Sequence, residues 1–113
     1  MTFFYSLHVS DFKGLCHVTI YLCNLYCGSG GMFVQSLHFV EHRNQQLKEL
    51  GELEESDAAI DLSVYGQEKT RDTVKLAKMN LFVNGLRGEI RQANSYSEDP
   101  FNSFESFDFI MAN

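Results

Sequence analysis

The sequence predicts an α/β fold with a mostly parallel sheet of about four strands. Three observations carry this. A β-branched and aromatic run, Leu15–Leu25, leads into the glycine-rich turn Cys27–Gly31. Helical apolar spacing follows that turn at once and recurs over Thr70–Asn84. Shorter strand-like runs separate and follow the helices, giving the order strand, helix, strand, helix, strand, strand. Such an order implies right-handed crossovers between parallel strands.

The elements follow in turn. Leu15–Leu25 contains Val18, Thr19, Ile20 and Tyr21 and is apolar on both faces, as a central parallel strand is. Phe33, Val34, Leu37 and Val40 set a first helix over Met32–His42. Arg43–Ser56 is polar, and Leu47, Leu50 and Leu53 predict a short solvated helix there. Ala59–Tyr65 reads as the second strand. In Thr70–Asn84, Val74, Leu76, Ala77, Leu81 and Phe82 form the apolar stripe. Thr70 suits its start and Gly85 its end. Glu89–Ala93 is a third strand, Ser95–Phe104 a loop holding the single proline Pro100, and Phe107–Ala112 a fourth strand.

At 113 residues the chain is one domain at most, and 44% hydrophobic content suffices for a core. A net charge of −6 repels a phosphate backbone, so the chain should not hold DNA by itself. The three cysteines, Cys16, Cys23 and Cys27, fit reduced thiols in a cytoplasm. Met1–Ser10 has no lysine or arginine, and Leu15–Cys27 is too short to span a bilayer, so no membrane is expected.

Chemistry concentrates at the strand ends. Gly28, Ser29, Gly30 and Gly31 join a strand directly to a helix, where free amides and the helix dipole favour an anionic group. A tight turn with no ligand fits those residues equally well. Phe33 occupies the place of the third glycine of a dinucleotide fingerprint, which disfavours that ligand. Glu68, beyond the second strand, can accept hydrogen bonds from ribose hydroxyls. It can equally be an exposed acid stabilising the second helix. Asn94 and Ser95 leave the third strand, where an amide can meet an adenine edge or simply form an Asx turn. His17, Cys23 and Cys27 lack zinc-site spacing, so no metal is expected. His38 and His42 lack the surrounding His-Glu-x-x-His pattern and read as partly exposed helix residues.

Taken together, Cys27–Ser36 (CGSGGMFVQS), Tyr65–Lys69 (YGQEK), Leu76–Leu81 (LAKMNL) and Asp108–Asn113 (DFIMAN) resemble one family. It is the N6-adenine DNA methyltransferases, specifically the methylation subunit of type I restriction–modification systems. The resemblance runs from about Cys27 to Asn113. It implies an incomplete Rossmann-like fold, three-layer αβα, and S-adenosyl-L-methionine (SAM) as cofactor. It implies cofactor contact at Cys27, Gly28, Ser29, Gly30, Gly31, Glu68, Asn94 and Ser95. Asn113 would be the first residue of the catalytic Asn-Pro-Pro-Phe/Tyr loop. Its carbonyl would accept hydrogen bonds from the target amine and aim the nitrogen lone pair at the methyl group. The following aromatic would stack on a flipped-out base. DNA, a specificity subunit and a restriction subunit are the implied partners, with DNA contacts on other sequence or other subunits.

The family has Asp-Pro-x-Cys where this chain has Asn24-Leu25-Tyr26-Cys27. Residues 1–26 otherwise lack the resemblance, so they are expected to be an atypical segment containing the first strand. Residues 27–113 are expected to be a partial methyltransferase domain cut at its catalytic loop, by a broken or incompletely read gene. Such a fragment would be inactive alone. A module that binds SAM or a nucleotide without turnover, and an inert gene fragment, are the rival readings.

Overall fold

The computed structural model describes residues 19–51, 60–102 and 105–111. They form β1 (Thr19–Asn24), α1 (Gly31–Glu49), β2 (Asp61–Glu68), α2 (Arg71–Val83), β3 (Arg87–Gln92) and β4 (Phe109–Met111). The sheet runs β3-β2-β1-β4. Every pairing is parallel, with Asn24 opposite both Gly66 and Met111, and Glu68 opposite Gln92.

Side-chain alternation divides the sheet into two faces. Ile20, Leu22, Leu62, Val64 and Ile90 point to one face and pack with Phe33 of α1 and Val74, Ala77 and Leu81 of α2. Both helices therefore lie on that face. Tyr65, on the other, packs against Phe101 and Phe107 with ring centroids 5.5 and 5.1 Å away. The Arg91 guanidinium lies 4.8 Å from the centre of the Phe101 ring. The third layer of the expected αβα sandwich is not among the described residues.

Several element bounds differ from expectation, each for a local reason. The strand expected from Leu15 is described from Thr19, and Tyr21 is 43% exposed despite its central position. No described helix covers its side of the sheet. The helices expected at Met32–His42 and within Arg43–Ser56 are one helix, α1. Leu47 sits two turns beyond Val40 and is buried with it, so the core-facing stripe continues through polar sequence. Asn44 on that helix clamps the backbone of Ile60, donating from Nδ2 to its carbonyl (3.1 Å) and accepting its N–H at Oδ1 (3.0 Å). Gly51, at φ +68°, follows the helix, and Leu53 lies outside the described residues.

β2 runs on to Glu68 instead of stopping at Tyr65. Gly66 is a strand residue of close approach: a Cβ there would lie 2.6 Å from Ile90 Cδ1 and 2.9 Å from Cys27 Sγ. α2 lies just inside the expected Thr70–Asn84. Its end is a Schellman motif, with Leu86 N–H on the Leu81 carbonyl (2.9 Å) and Gly85 N–H on that of Phe82 (3.1 Å). Leu76 and Phe82, expected on the buried stripe, are 49% and 87% exposed. The inward positions are Val74, Ala77 and Leu81, three and seven residues apart, and the other two project off that line. In β3 only Ile90 is buried, and the polar Arg87, Glu89, Arg91 and Gln92 keep this outer strand from pairing with other chains.

Candidate functional site

In a parallel sheet every strand ends at the same rim, and β1 lies between β2 and β4. The chain connections change direction at β1, which makes its carboxyl end the switch point where α/β folds bind ligands. The loops after β1, β2 and β3 all open there.

The first loop begins with an Asx turn. Buried Asn24 accepts the Tyr26 N–H at Oδ1 (2.9 Å). Cys27 N–H then donates to the Gln67 carbonyl (3.0 Å), and Gly30 N–H to that of Cys27 (2.9 Å). Gly28 and Gly30 have φ of +53° and +83°, values that side chains with a Cβ rarely adopt. Gly30 is the N-cap of α1 and lies close enough to α2 that a Cβ would touch Ala77 at 3.7 Å. Asn80 of α2 holds the loop from outside, donating to the Ser29 carbonyl at 2.6 Å.

Among the described residues, the amides of Gly28, Ser29, Gly31 and Met32 donate to no acceptor. The first turn of α1 has no acidic residue. This helix end is therefore an uncompensated cluster of N–H donors with the positive end of the dipole behind it. Cys27 joins the loop through its backbone and through its thiol, which donates to the Gly28 carbonyl at 3.6 Å. Its side chain is buried against Gly66. Burial, followed by the nearby Glu68 charge, pushes its thiol up to about 11. Burial and then Asp99 do the same to Cys23, also to about 11. Both thiols stay protonated near neutrality, and no group of metal-ligating side chains occurs among the described residues.

Glu68 is the last residue of β2 rather than a loop residue. Its Oε1 accepts the Thr70 N–H at 3.0 Å, and the Thr70 side chain, expected to cap α2, makes no cap bond. Its second oxygen accepts no bond among the described residues. Asn94 forms the Asx turn, with Oδ1 accepting the Tyr96 N–H (3.2 Å) and its own N–H on Glu98 Oε2 (2.6 Å). Its Nδ2 donors stay uncommitted among the described residues. The Ser95 hydroxyl sits between the Leu25 carbonyl and Gln67 Oε1, 3.0 Å from the latter. It ties the loop after β3 to the ends of β1 and β2.

The structure thus brings Gly28, Ser29, Gly30, Gly31, Glu68, Asn94 and Ser95 to one rim. Asn113 lies outside the described residues. The last described residue, Met111, accepts the Leu25 N–H at 3.1 Å, so the chain leaves β4 beside the end of β1. Sequence reasoning missed Gln67, Tyr26 and Tyr96. Gln67 is 1% exposed, and its Nε2 has no partner among the described residues. Its alternation with Ser63 and Tyr65 would have revealed it had the strand been carried past Gly66. An open cleft of about 420 Å³ lies on the sheet face opposite the helices, between Tyr21, Tyr65, Arg91 and Phe107. It contains none of the predicted site residues.

Comparison with known proteins agrees with this geometry. The family described as N-6 DNA Methylase matches residues 19–113, taking in β1 as well as the glycine turn. The MjaIX type I restriction enzyme methylase subunit of Methanocaldococcus jannaschii is 37% identical over 87 residues. That alignment covers 77% of this chain and 13% of the relative. The HindI type I restriction enzyme methylase subunit of Haemophilus influenzae is 33% identical over 87 residues, 76% of this chain and 17% of that protein. The chain therefore spans under a fifth of the length of these relatives. No solved structure matches it. Four parallel strand ends meeting at a glycine elbow, and a family match over most of the sequence, agree: the chain belongs to the N-6 DNA methylase family.

Proposed function

We propose that this chain is the cofactor-binding part of a SAM-dependent enzyme that methylates adenine N6 in DNA, within a type I restriction–modification complex. The observation carrying this is the shared rim, where open helix amides, a half-used carboxylate and uncommitted amide donors end adjacent parallel strands.

The residues suit the cofactor's functional groups. The amides of Gly28, Ser29 and Gly31 would hold the methionine carboxylate at the start of α1. The second oxygen of Glu68 would accept the ribose hydroxyls, and Asn94 Nδ2 with the Ser95 backbone would border the adenine. Gly30 and Cys27 shape the loop, their backbone groups being bonded to each other. SAM, when bound, supplies an electrophilic methyl group. Asn113 would accept hydrogen bonds from the target amine and hold its lone pair toward that methyl. Specificity and restriction subunits would supply the hold on DNA that a chain of charge −6 lacks. The cytoplasm, where DNA and SAM meet, is the fitting location. Among the described residues no helix is long and apolar enough to cross a membrane.

Calorimetry with SAM tests the reading. Saturable one-to-one binding is expected. Glu68→Gln should weaken it about 10- to 100-fold, the range for a hydrogen bond to a charged group. The glutamine carbonyl can still accept the Thr70 N–H, so the melting temperature should barely move. No binding at millimolar SAM would overturn the proposal. No methyl transfer is expected from the chain alone.

A further inference from the structure

The outer side of α2 carries a face that the cofactor reading leaves unused. Val74, Ala77 and Leu81 turn inward. With about 100° between successive residues, Leu76, Met79 and Val83 then point away from the core, and all three are exposed. Arg71, Lys75, Lys78 and Phe82 form the neighbouring line, on the side toward β3. Beside that line an open cleft of about 370 Å³ runs between α2 and β3, with buried Leu81, Leu86 and Ile90 beneath it. Gly88 shares the Ile90 face of β3 and adds no side chain to fill it. Phe82, at the cleft's border, is 87% exposed. The comparably exposed Tyr96 rests against Tyr26, ring centroids 6.1 Å apart, whereas Phe82 has no ring contact among the described residues.

The charge here runs against that of the chain as a whole. Six of its nine Lys and Arg residues are Lys69, Arg71, Lys75, Lys78, Arg87 and Arg91. The same stretch holds two of the fifteen acids, Asp72 and Glu89. Lys75 pairs with Asp72 at 3.4 Å, and Arg87 and Arg91 pair with Asp61 and Glu89. Arg71 and Lys78 form no ion pair among the described residues. A chain of net charge −6 therefore turns a basic ridge outward alongside an apolar stripe.

Contiguous exposed apolar surface rimmed by polar residues marks an interaction site. Apolar residues at three- and four-residue spacing over about two turns fit a second helix laid alongside. The adjacent cations favour acidic residues on its flank. A phosphate backbone would use the cations and leave Met79, Phe82 and Val83 in water. A second copy packed stripe to stripe would set like charges together.

We propose that the outer face of α2, with the cleft beside β3, docks an amphipathic helix of a partner protein, apolar on one face and acidic along its flank. The place is remote from the cofactor rim. α2 starts next to Glu68 and runs away from it, so Met79, Phe82 and Val83 lie at its far end.

The probe is a synthetic peptide of about 20 residues, long enough to be helical in water, with leucine on one face and glutamate beside it. Its controls are a twin with lysine for every glutamate and a scrambled peptide of the same composition. Fluorescence anisotropy on the full chain reads the binding. The glutamate helix should bind saturably, and neither control should bind. Phe82→Ala should weaken it about 5- to 30-fold, the span from a minor contact to a hot spot. Lys75→Glu with Lys78→Glu should reverse the preference, so that the lysine twin binds. Melting temperatures should hold, because these side chains are exposed. No binding of the glutamate helix, equal binding of the scrambled peptide, or an unreversed preference overturns the proposal. Binding of a DNA duplex that Lys75→Glu with Lys78→Glu abolishes overturns it by assigning the ridge to nucleic acid. Self-association in sedimentation that Phe82→Ala abolishes overturns it by assigning the face to a second copy. The cofactor reading concerns the opposite end of α2 and is left untouched by every outcome.

Discussion

Gly66→Ala should destabilise the fold by filling a point where β2, β3 and the glycine loop touch. The added methyl would lie 2.6 Å from Ile90 Cδ1, 2.9 Å from Cys27 Sγ and 3.0 Å from Cys27 Cβ. Both neighbours are buried, at 2% and 4% exposure, so neither can swing into solvent. Inserting a methyl into a packed core costs about 1–3 kcal/mol. Removing glycine from the unfolded chain returns about 0.4–1 kcal/mol. The net loss is about 1.3 kcal/mol at the middle of these ranges, a fall of several degrees in melting temperature for a domain this small. Denaturant unfolding followed by circular dichroism measures it. A double-mutant cycle identifies the cause. Ile90→Val deletes the nearest clashing atom, so Gly66→Ala with Ile90→Val should be less destabilised than the sum of the single changes. Strict additivity, or a neutral Gly66→Ala, would refute the close-approach argument and with it the packing of Cys27 beneath the loop.

Asn44→Ala removes both bonds to the Ile60 backbone and should cost about 1–3 kcal/mol, read from the same unfolding curves. The buried thiols make a pH prediction. Cys23 and Cys27 shift from a reference value of 9.0 to about 11 in the fold. Their folded values are raised, so the unfolded chain loses its protons first. Stability from this source is complete below about pH 9 and is lost as pH rises toward about 11. Iodoacetamide labelling at pH 8 should accordingly spare both cysteines until denaturant is added, as mass spectrometry of the labelled peptides will show. Fast labelling of Cys27 in the native chain would contradict its burial.

The α/β order was legible because it depends on strong local signals: an apolar run broken by glycines, then helical spacing. The positions of Gly28–Gly31, Glu68 and Asn94–Ser95 were legible for a topological reason. Once the strands are parallel, residues that follow them must gather at one rim. The rest depends on contacts remote in sequence. Gly66 looks like a break in β2 until Ile90 and Cys27 are seen crowding it. The polar stretch after His42 hides the continuation of α1, because one leucine and the Asn44 clamp hold it. Leu76 and Phe82 read as core by hydrophobicity alone, although α2 turns only Val74, Ala77 and Leu81 inward. The approach of Tyr26 to Tyr96 depends on one serine hydroxyl and has no local signature at all.

Charge separates the ligands that suit this chain from those that do not. Its net charge of −6 acts on any ligand, but salt screens that repulsion beyond about 8 Å. Duplex DNA places one negative charge every ~1.7 Å along its axis, so many phosphates would sit within that distance of an acidic surface. The start of α1 has the opposite sign, about half an elementary charge, with no acidic residue in its first turn. Its open amides are close-range donors, and a small ligand can place a single carboxylate directly on them. The cationic part of a zwitterion then meets a chain of opposite net charge. For a ligand of that size the local donors and the net charge both favour binding. For a duplex the local donors touch at most one phosphate while the net charge opposes all the others. The same distribution that suits the rim to a small zwitterion therefore opposes a duplex, in line with the proposed division between cofactor binding here and DNA binding elsewhere.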